Sequence, residues 1–294
     1  MFESLRRQNI VGAAIASPLD ESGGVDTVRL VHHATSLMQA GVTSVALFGT
    51  TGEGSAFDHA TRLAVVEASV AAGVTPGALG MGTFEQSSSA CAMHIRDAFS
   101  AGVQYALLCP PFYFKGVSDE GLYRWFAQVI DGVGATPGEF VLYHIPQLTQ
   151  VPLSDALIAR LLANYPERIL GLKDSAGDWD ASRTLIERFP DTSVLVGYEG
   201  HIAAGMQAGA RGSICALANV MPEALAALIQ TATQDERVCE LIRVAGETFL
   251  IGAVKALLAK RYDDSAWEQV SAPLDALPES ARARVLQCWS TLRH

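Results

Sequence analysis

Lysine is scarce in this chain: Lys115, Lys173, Lys255 and Lys260 are the only four among 294 residues, so side-chain amine chemistry must use one of them. Basic charge as a whole is in deficit. Lysine and arginine total 21 against 31 acidic residues, a formal net charge of -10 that opposes association with a phosphate backbone or an anionic membrane surface. Neither nucleic acid nor membrane is an expected partner. No apolar run reaches 18 residues without Gly, Pro or charge, and residues 1–7 lack the apolar core of a secretory signal. The cysteines Cys91, Cys109, Cys215, Cys239 and Cys288 are odd in number, scattered and without a C-x-x-C pair, which fits reduced core thiols of a cytoplasmic protein. Metal and nucleotide signatures are missing too. His32 and His33 are adjacent in a helical pattern, and there is no H-x-x-x-H, His/Cys cluster, P-loop or G-x-S-x-G elbow. The run 77–82 is too short to mark a dinucleotide site. No metal and no organic cofactor is expected.

What is present is an alternation. With 49% apolar and 18% charged residues the chain has the composition of an ordinary globular protein, long enough to bury a large core. Apolar runs of strand length at 10–16, 42–48, 77–82, 105–109, 140–144, 169–174, 194–197 and 212–216 are each followed by a helical pattern. Asp26 is the expected N-cap of the first helix and Gly41 its stop. Eight βα units are the number that closes a (β/α)8 barrel, an α/β fold of the TIM type. A doubly wound open sheet is the rival topology that the same alternation produces. Residues 235–294 continue with helical periodicity, stopping near Pro273 and Pro278. They are too few for an independent core and are expected to pack as extra helices on a barrel of residues 1–234.

In such a barrel the chemistry lies just beyond the strand C-termini. The sixth run, Ile169-Leu-Gly-Leu-Lys173-Asp174, ends on a lysine in otherwise apolar surroundings. Burial disfavours the ammonium form and frees the lone pair for attack on a carbonyl, while a structural pair with Asp174 is the alternative. After the second run, Gly49-Thr50-Thr51-Gly52-Glu53 can turn tightly and aim amide N–H groups and two hydroxyls at a small carboxylate, or can be a plain turn with a threonine cap. Tyr143, at the end of the fifth run, is a candidate proton donor and acceptor or an amphipathic core residue. Phe112-Tyr113-Phe114, after the fourth, either lines a pocket or packs in a subunit interface, and Gly197-Tyr198-Glu199-Gly200 follows the seventh.

Together, Gly49-Thr-Thr-Gly-Glu53, Tyr143-x-x-Pro146, Gly171-Leu-Lys173-Asp-Ser-Ala-Gly177 and the Gly197 turn resemble the dihydrodipicolinate synthase and N-acetylneuraminate lyase family of pyruvate-dependent Schiff-base aldolases. The likeness spans the whole chain. It implies that Lys173 forms the Schiff base, that Tyr143 is the acid/base, and that Thr50 and Thr51 with Gly49 hold the keto acid's carboxylate. It further implies that Gly197 and Ile214 line the pyruvate pocket. Thr50 would link Tyr143 to a tyrosine from a neighbouring subunit, a position that Tyr113 matches. The implied assembly is a homotetramer built as a dimer of dimers, the partners pyruvate and a small aldehyde.

Three departures bear on the substrate. The lysine-pathway synthases carry an arginine two residues past the proline, where this chain has Leu148, and an alkyl group does not replace a bidentate guanidinium. Sialic acid lyases follow Gly-Tyr with two acids, whereas Glu199 is followed by Gly200, and His144 replaces the usual asparagine. The expected activity is reversible cleavage of a 2-keto-3-deoxy sugar acid, or a similar 4-hydroxy-2-keto acid, to pyruvate and an aldehyde. The alternatives are 4-hydroxy-tetrahydrodipicolinate synthase, a dehydratase on the same scaffold, and a non-catalytic keto-acid-binding protein.

Overall fold

The structure, a computed structural model, describes residues 9–74 and 79–292. Eight parallel strands form one closed barrel in chain order: β1 (Ile10–Ala14), β2 (Ser44–Leu47), β3 (Leu79–Thr83), β4 (Tyr105–Leu108), β5 (Glu139–His144), β6 (Ile169–Asp174), β7 (Ser193–Val196) and β8 (Gly212–Cys215). Closure comes from β8 against β1, with Gly212 beside Ile10 and Ile214 beside Gly12. That pairing rules out the open doubly wound sheet, which leaves two edge strands. Several strands are shorter than the apolar runs that announced them, because Ile15, Ala16, Val42 and Phe48 are buried in the loops at the barrel ends instead of in the ladder. The expected strand at 77–82 is seen from Leu79, and residues 77–78 and the segment 1–7 lie outside the described residues.

The helices start where short polar side chains can satisfy free backbone N–H groups. Asp26, Asp58, Ser87, Ser118, Ser154 and Asp178 each accept from the N–H three residues on, opening the helices Thr27–Gln39, His59–Ala71, Ser88–Ser100, Asp119–Val133, Asp155–Asn164 and Trp179–Arg188. The core has two layers, one between sheet and helices and one filling the barrel with Ile10, Tyr105, Val141, Tyr143, Leu170, Leu195 and Ile214 among others. Gly80 is what admits a ring to that interior. A Cβ there would lie 2.2 Å from the ring of Tyr105, whose hydroxyl meets Ser44 Oγ at 2.7 Å.

The C-terminal segment folds as the helices Glu236–Gly246, Leu250–Tyr262 and Glu279–Leu292, with Pro273 and Pro278 in the irregular stretch before the last. It is stitched to the barrel through polar groups. His33, fully buried, meets the Tyr262 hydroxyl at 2.8 Å through Nδ1 and Asn219 Oδ1 at 3.0 Å through Nε2, with the Trp267 ring edge-on at 5.2 Å. Asn219 donates in turn to the carbonyls of Ala14 and Ala216, both at 2.8 Å, tying β1 to the turn after β8.

Burial holds His33 neutral, moving its pKa from 6.5 down to about 4. The unfolded chain takes up this proton below about pH 6.5 and the fold does not, so the contribution is whole above pH 6.5 and is lost as pH falls toward 4. Its size over that window is on the order of 3 kcal/mol. Urea unfolding of wild type and His33→Gln at pH 7 and pH 4.5 should show a smaller pH dependence in the variant by most of that amount. An identical pH dependence in both would show that His33 is not the group responsible.

Candidate active site

Side chains at paired positions of neighbouring parallel strands share a face, so the register between β5 and β6 sorts the residues at their ends. Tyr143 lies beside Lys173, and His144 lies beside Asp174. The first pair enters the barrel. Lys173 Nζ sits 4.4 Å from the centroid of the Tyr143 ring, and both residues are buried, at 4% and 2% exposed. The second pair faces out of the barrel. His144 Nδ1 meets Asp174 Oδ1 at 3.0 Å, Ser182 donates to Asp174 Oδ2, and the N–H of Ala176 donates to Asp174 Oδ1 at 3.2 Å. Burial raises the pKa of Asp174, but the bonds from His144 and Ser182 outweigh it and leave the carboxyl below its usual range. Its partners are thus His144, Ser182 and a backbone amide; the structural Lys173–Asp174 pair is not formed.

The loop after β2 brings Thr50 to this pair, its Oγ1 3.1 Å from the Tyr143 hydroxyl. The sequence suggested that its glycines supply a tight turn through backbone freedom, and the structure places the demand elsewhere. The left-handed residues are Phe48 (φ 53°) and Glu53 (φ 54°), both non-glycine. Gly52 and the following Gly54 are needed for close approach: a Cβ on Gly54 would lie 1.9 Å from the Phe48 carbonyl oxygen, and one on Gly52 2.7 Å from that of Ile15, whereas one on Gly49 would meet nothing within 4 Å. Ser17 Oγ donates to the Gly52 carbonyl at 2.7 Å, fixing the loop from β1's side. Among the described residues the N–H groups of Thr50 and Thr51 make no internal hydrogen bond.

Glu53 keeps its strained backbone because its carboxylate is anchored. It forms an ion pair with Lys255 of the helix Leu250–Tyr262, both side chains fully buried, and accepts the N–H of Ser271 at 2.5 Å. Burial lowers the pKa of Lys255, and the adjacent Glu53 opposes that fall. The signal in the sequence was a lysine inside the apolar run of residues 250–259, which needs a buried acid to answer it.

The remaining predicted residues fall in different places. Gly197 follows β7 directly, where its N–H donates to the Asp174 carbonyl at 2.7 Å and a Cβ would lie 2.0 Å from Ser175 Oγ. Ile214 is fully buried in the barrel interior with Tyr143 and Leu195. Glu199 is buried, and its Oε1 accepts the N–H of Leu217 at 2.8 Å, so the carboxylate clasps the turn after β8. Burial raises its pKa, while that hydrogen bond and the charge of Lys173 act the other way. Tyr113 (76% exposed) and Phe114 (73%) project from the loop after β4, whereas Phe112 turns inward. That loop is pinned by Gln86 Oε1, which accepts from the N–H groups of Phe112 and Tyr113 at 2.8 Å each.

A cleft of about 400 Å³ opens from Thr50, walled by Phe84, Phe112, Ile145 and Leu148 and, from the C-terminal segment, by Phe249 and Leu274. Phe84, Phe249 and Leu274 carry no motif, and only the fold brings them together. Among the described residues no group of three or more His, Cys, Asp or Glu could hold a metal ion.

A sequence model of the family described as "Dihydrodipicolinate synthetase family" matches residues 7–248. The chain is 33% identical over 217 residues to an uncharacterized DapA-like lyase of Chloroflexus aurantiacus, covering 74% of this chain and 72% of that one. It is 34% identical over 215 residues to a 4-hydroxy-tetrahydrodipicolinate synthase of Azoarcus sp., covering 72% and 71%. Its fold superposes on a crystal structure of dihydrodipicolinate synthase from Agrobacterium tumefaciens with a TM-score of 0.93, 33% identity and coverage of 96% and 99%.

Removing one member of the Glu53–Lys255 pair leaves the other charge buried and unpaired, a loss of about 3–5 kcal/mol. Lys255→Met should therefore lower the unfolding free energy by that order in urea titrations. The double variant Glu53→Gln/Lys255→Met should lose markedly less than the two single losses added together, and strict additivity would show that the two side chains are not coupled.

Proposed function

The chain belongs to the dihydrodipicolinate synthetase family of pyruvate-dependent class I aldolases, and on that premise we propose that it reversibly cleaves a 4-hydroxy-2-keto acid to pyruvate and an aldehyde through an imine on Lys173. The observation that carries this reading is the convergence of one buried amine, the Tyr143 ring at 4.4 Å and the Thr50 hydroxyl at 3.1 Å from the phenol, at the mouth of a closed barrel. The N–H groups and hydroxyls of Thr50 and Thr51, with Gly49, hold the carboxylate of the keto acid. Gly197 and Ile214 border the pyruvyl carbon. The Lys173 amine adds to the C2 carbonyl and expels water, giving an iminium that draws electrons from C3. The C3–C4 bond then breaks, its electron pair enters the enamine, and Tyr143, left as phenolate once it has protonated the hydroxyl that departs from C2 as water, takes the C4 hydroxyl proton as the aldehyde leaves. Protonation at C3 and hydrolysis return pyruvate and the free amine. No step asks for a metal or an organic cofactor.

Tyr113 is proposed to complete the Tyr143–Thr50 relay of a neighbouring subunit in a homotetramer, a reading supported by its exposure on a pinned loop beside the mouth. A cytoplasmic setting is proposed on the five unpaired cysteines, and among the described residues no helix is long and apolar enough to cross a membrane. The second reading is 4-hydroxy-tetrahydrodipicolinate synthase, favoured by the name of the Azoarcus relative. Against it stands Leu148, where a guanidinium would hold the carboxylate of the semialdehyde.

Borohydride reduction in the presence of pyruvate should leave a mass adduct on the peptide containing Lys173 and on no other lysine. Lys173→Ala should lose it. Tyr143→Phe should still form the adduct but turn over about 10²–10⁴ times more slowly, since it removes only the proton carrier. Semialdehyde-dependent consumption of pyruvate, with no cleavage of any 4-hydroxy-2-keto acid, would favour the synthase reading instead.

A further inference from the structure

Polar groups near the reacting centre are plentiful in the barrel mouth, but those lining the outer cleft are already engaged. Glu53, the one charged residue of the wall, gives its carboxylate to Lys255 and the Ser271 N–H. Thr149 Oγ1 bonds the carbonyls of Ile145 and Val151 at 3.2 and 3.3 Å and accepts the Val151 N–H at 3.2 Å. The ammonium of Lys115, beside this wall, is held by the carbonyls of Phe112 and Thr149. Cys109 is buried, and burial pushes its thiol up to about 12, which keeps it a small apolar group. Thr50 is the exception, and its hydroxyl belongs to Tyr143. Ser55 contributes a hydroxyl only at the exposed rim.

The rest of the wall is hydrocarbon: the rings of Phe84, Phe112 and Phe249 with Ile145, Leu148 and Leu274 around them. We infer that the substituent carried on C4 of the substrate is apolar and ring-bearing, so that the aldehyde released is an aryl or similar apolar aldehyde and not a polyhydroxylated one. Deepening the aldolase reading, on which it rests, this inference narrows the sugar-acid expectation drawn from sequence. Most hydroxyls of a sugar chain entering the cleft would give up water without gaining a side-chain partner, because apart from Ser55 at the rim the wall's side-chain donors and acceptors are spent. Glu199, the one acid present of the pair that the sialic acid lyases carry after Gly-Tyr, has its Oε1 engaged by the Leu217 N–H. A phenyl group meets three rings able to pack edge-on or offset, and it is driven in by the area it buries. The cleft volume of about 400 Å³ holds such a group with room for ring substituents.

The test compares retro-aldol cleavage by the wild-type enzyme of 4-hydroxy-2-keto-4-phenylbutanoate and of a 2-keto-3-deoxy-hexonate, measured as pyruvate release. The kcat/KM for the phenyl substrate should exceed that for the sugar acid by at least about tenfold. Equal values, a preference for the sugar acid, or cleavage of neither would overturn the inference. Borohydride trapping with pyruvate on the same preparation separates the two levels. An adduct on Lys173 alongside any of those three outcomes overturns only the apolar assignment, whereas absence of the adduct overturns the aldolase reading and this inference with it.

Discussion

The pairing of β5 with β6 fixes which side chains enter the barrel, and the rest of the site is arranged around its outcome. With Tyr143 beside Lys173 the amine and the phenol are neighbours inside, and with His144 beside Asp174 the other pair is left outside. A slip of one residue in one strand would exchange these faces and set a histidine beside a lysine. The exterior pair gives the carboxylate of Asp174 its own partners in His144 and Ser182, which keeps it from neutralising Lys173. A shift in register between Phe140 and Val141 precedes the aligned stretch, and from Gly171 onward the two strands run in step to their ends. The alignment that matters for chemistry is thus set within a few residues of the reactive groups.

The second constraint comes from the far end of the chain. Thr50 reaches Tyr143 only because its loop holds Phe48 and Glu53 in the left-handed region, an arrangement that costs about 1–3 kcal/mol for each such residue. The Glu53–Lys255 pair and the Ser271 amide offset that cost by clamping the loop to the helix Leu250–Tyr262. The same C-terminal segment provides Phe249 and Leu274 to the cleft. It therefore takes part in the site twice, once as the counter-ion for the carboxylate-binding loop and once as wall for the substrate's second half. His33 and Asn219 perform a matching service, joining the end of the same helix to β1 and to the turn after β8.

The architecture was legible in the sequence because βα alternation is a local signal: apolar runs of strand length, polar caps such as Asp26 and Ser118, and stops such as Gly41 each report on a few neighbouring residues. Closure followed from the count of eight units rather than from any local signal, since it depends on Ile10 meeting Gly212 across the whole chain. Lys173, Tyr143 and Thr50 could be found because they end apolar runs or sit in a glycine-rich turn, features that mark the barrel mouth. In sequence Gly52 and Gly54 suggest backbone freedom, yet their role is room for the carbonyls of Ile15 and Phe48. Phe84, Phe249 and Leu274 were illegible for a simple reason. An apolar residue that lines a cleft has the same local pattern as one that packs in a core, and only the fold tells them apart. Glu199 shows the converse, a charged residue whose position in a motif invited a ligand role and whose carboxylate the fold spends on the Leu217 N–H.

The central claim is that Lys173 is the covalent nucleophile in a site whose carboxylate cradle is the Thr50–Thr51 loop. A crystal structure of the enzyme grown with pyruvate tests it most directly. The account predicts continuous density from Lys173 Nζ to the C2 of pyruvate, with the carboxylate on the N–H groups of Thr50 and Thr51 and the Tyr143 hydroxyl facing the linkage. Pyruvate bound without a covalent bond to Lys173, or linked to Lys255 or Lys115 instead, would contradict it.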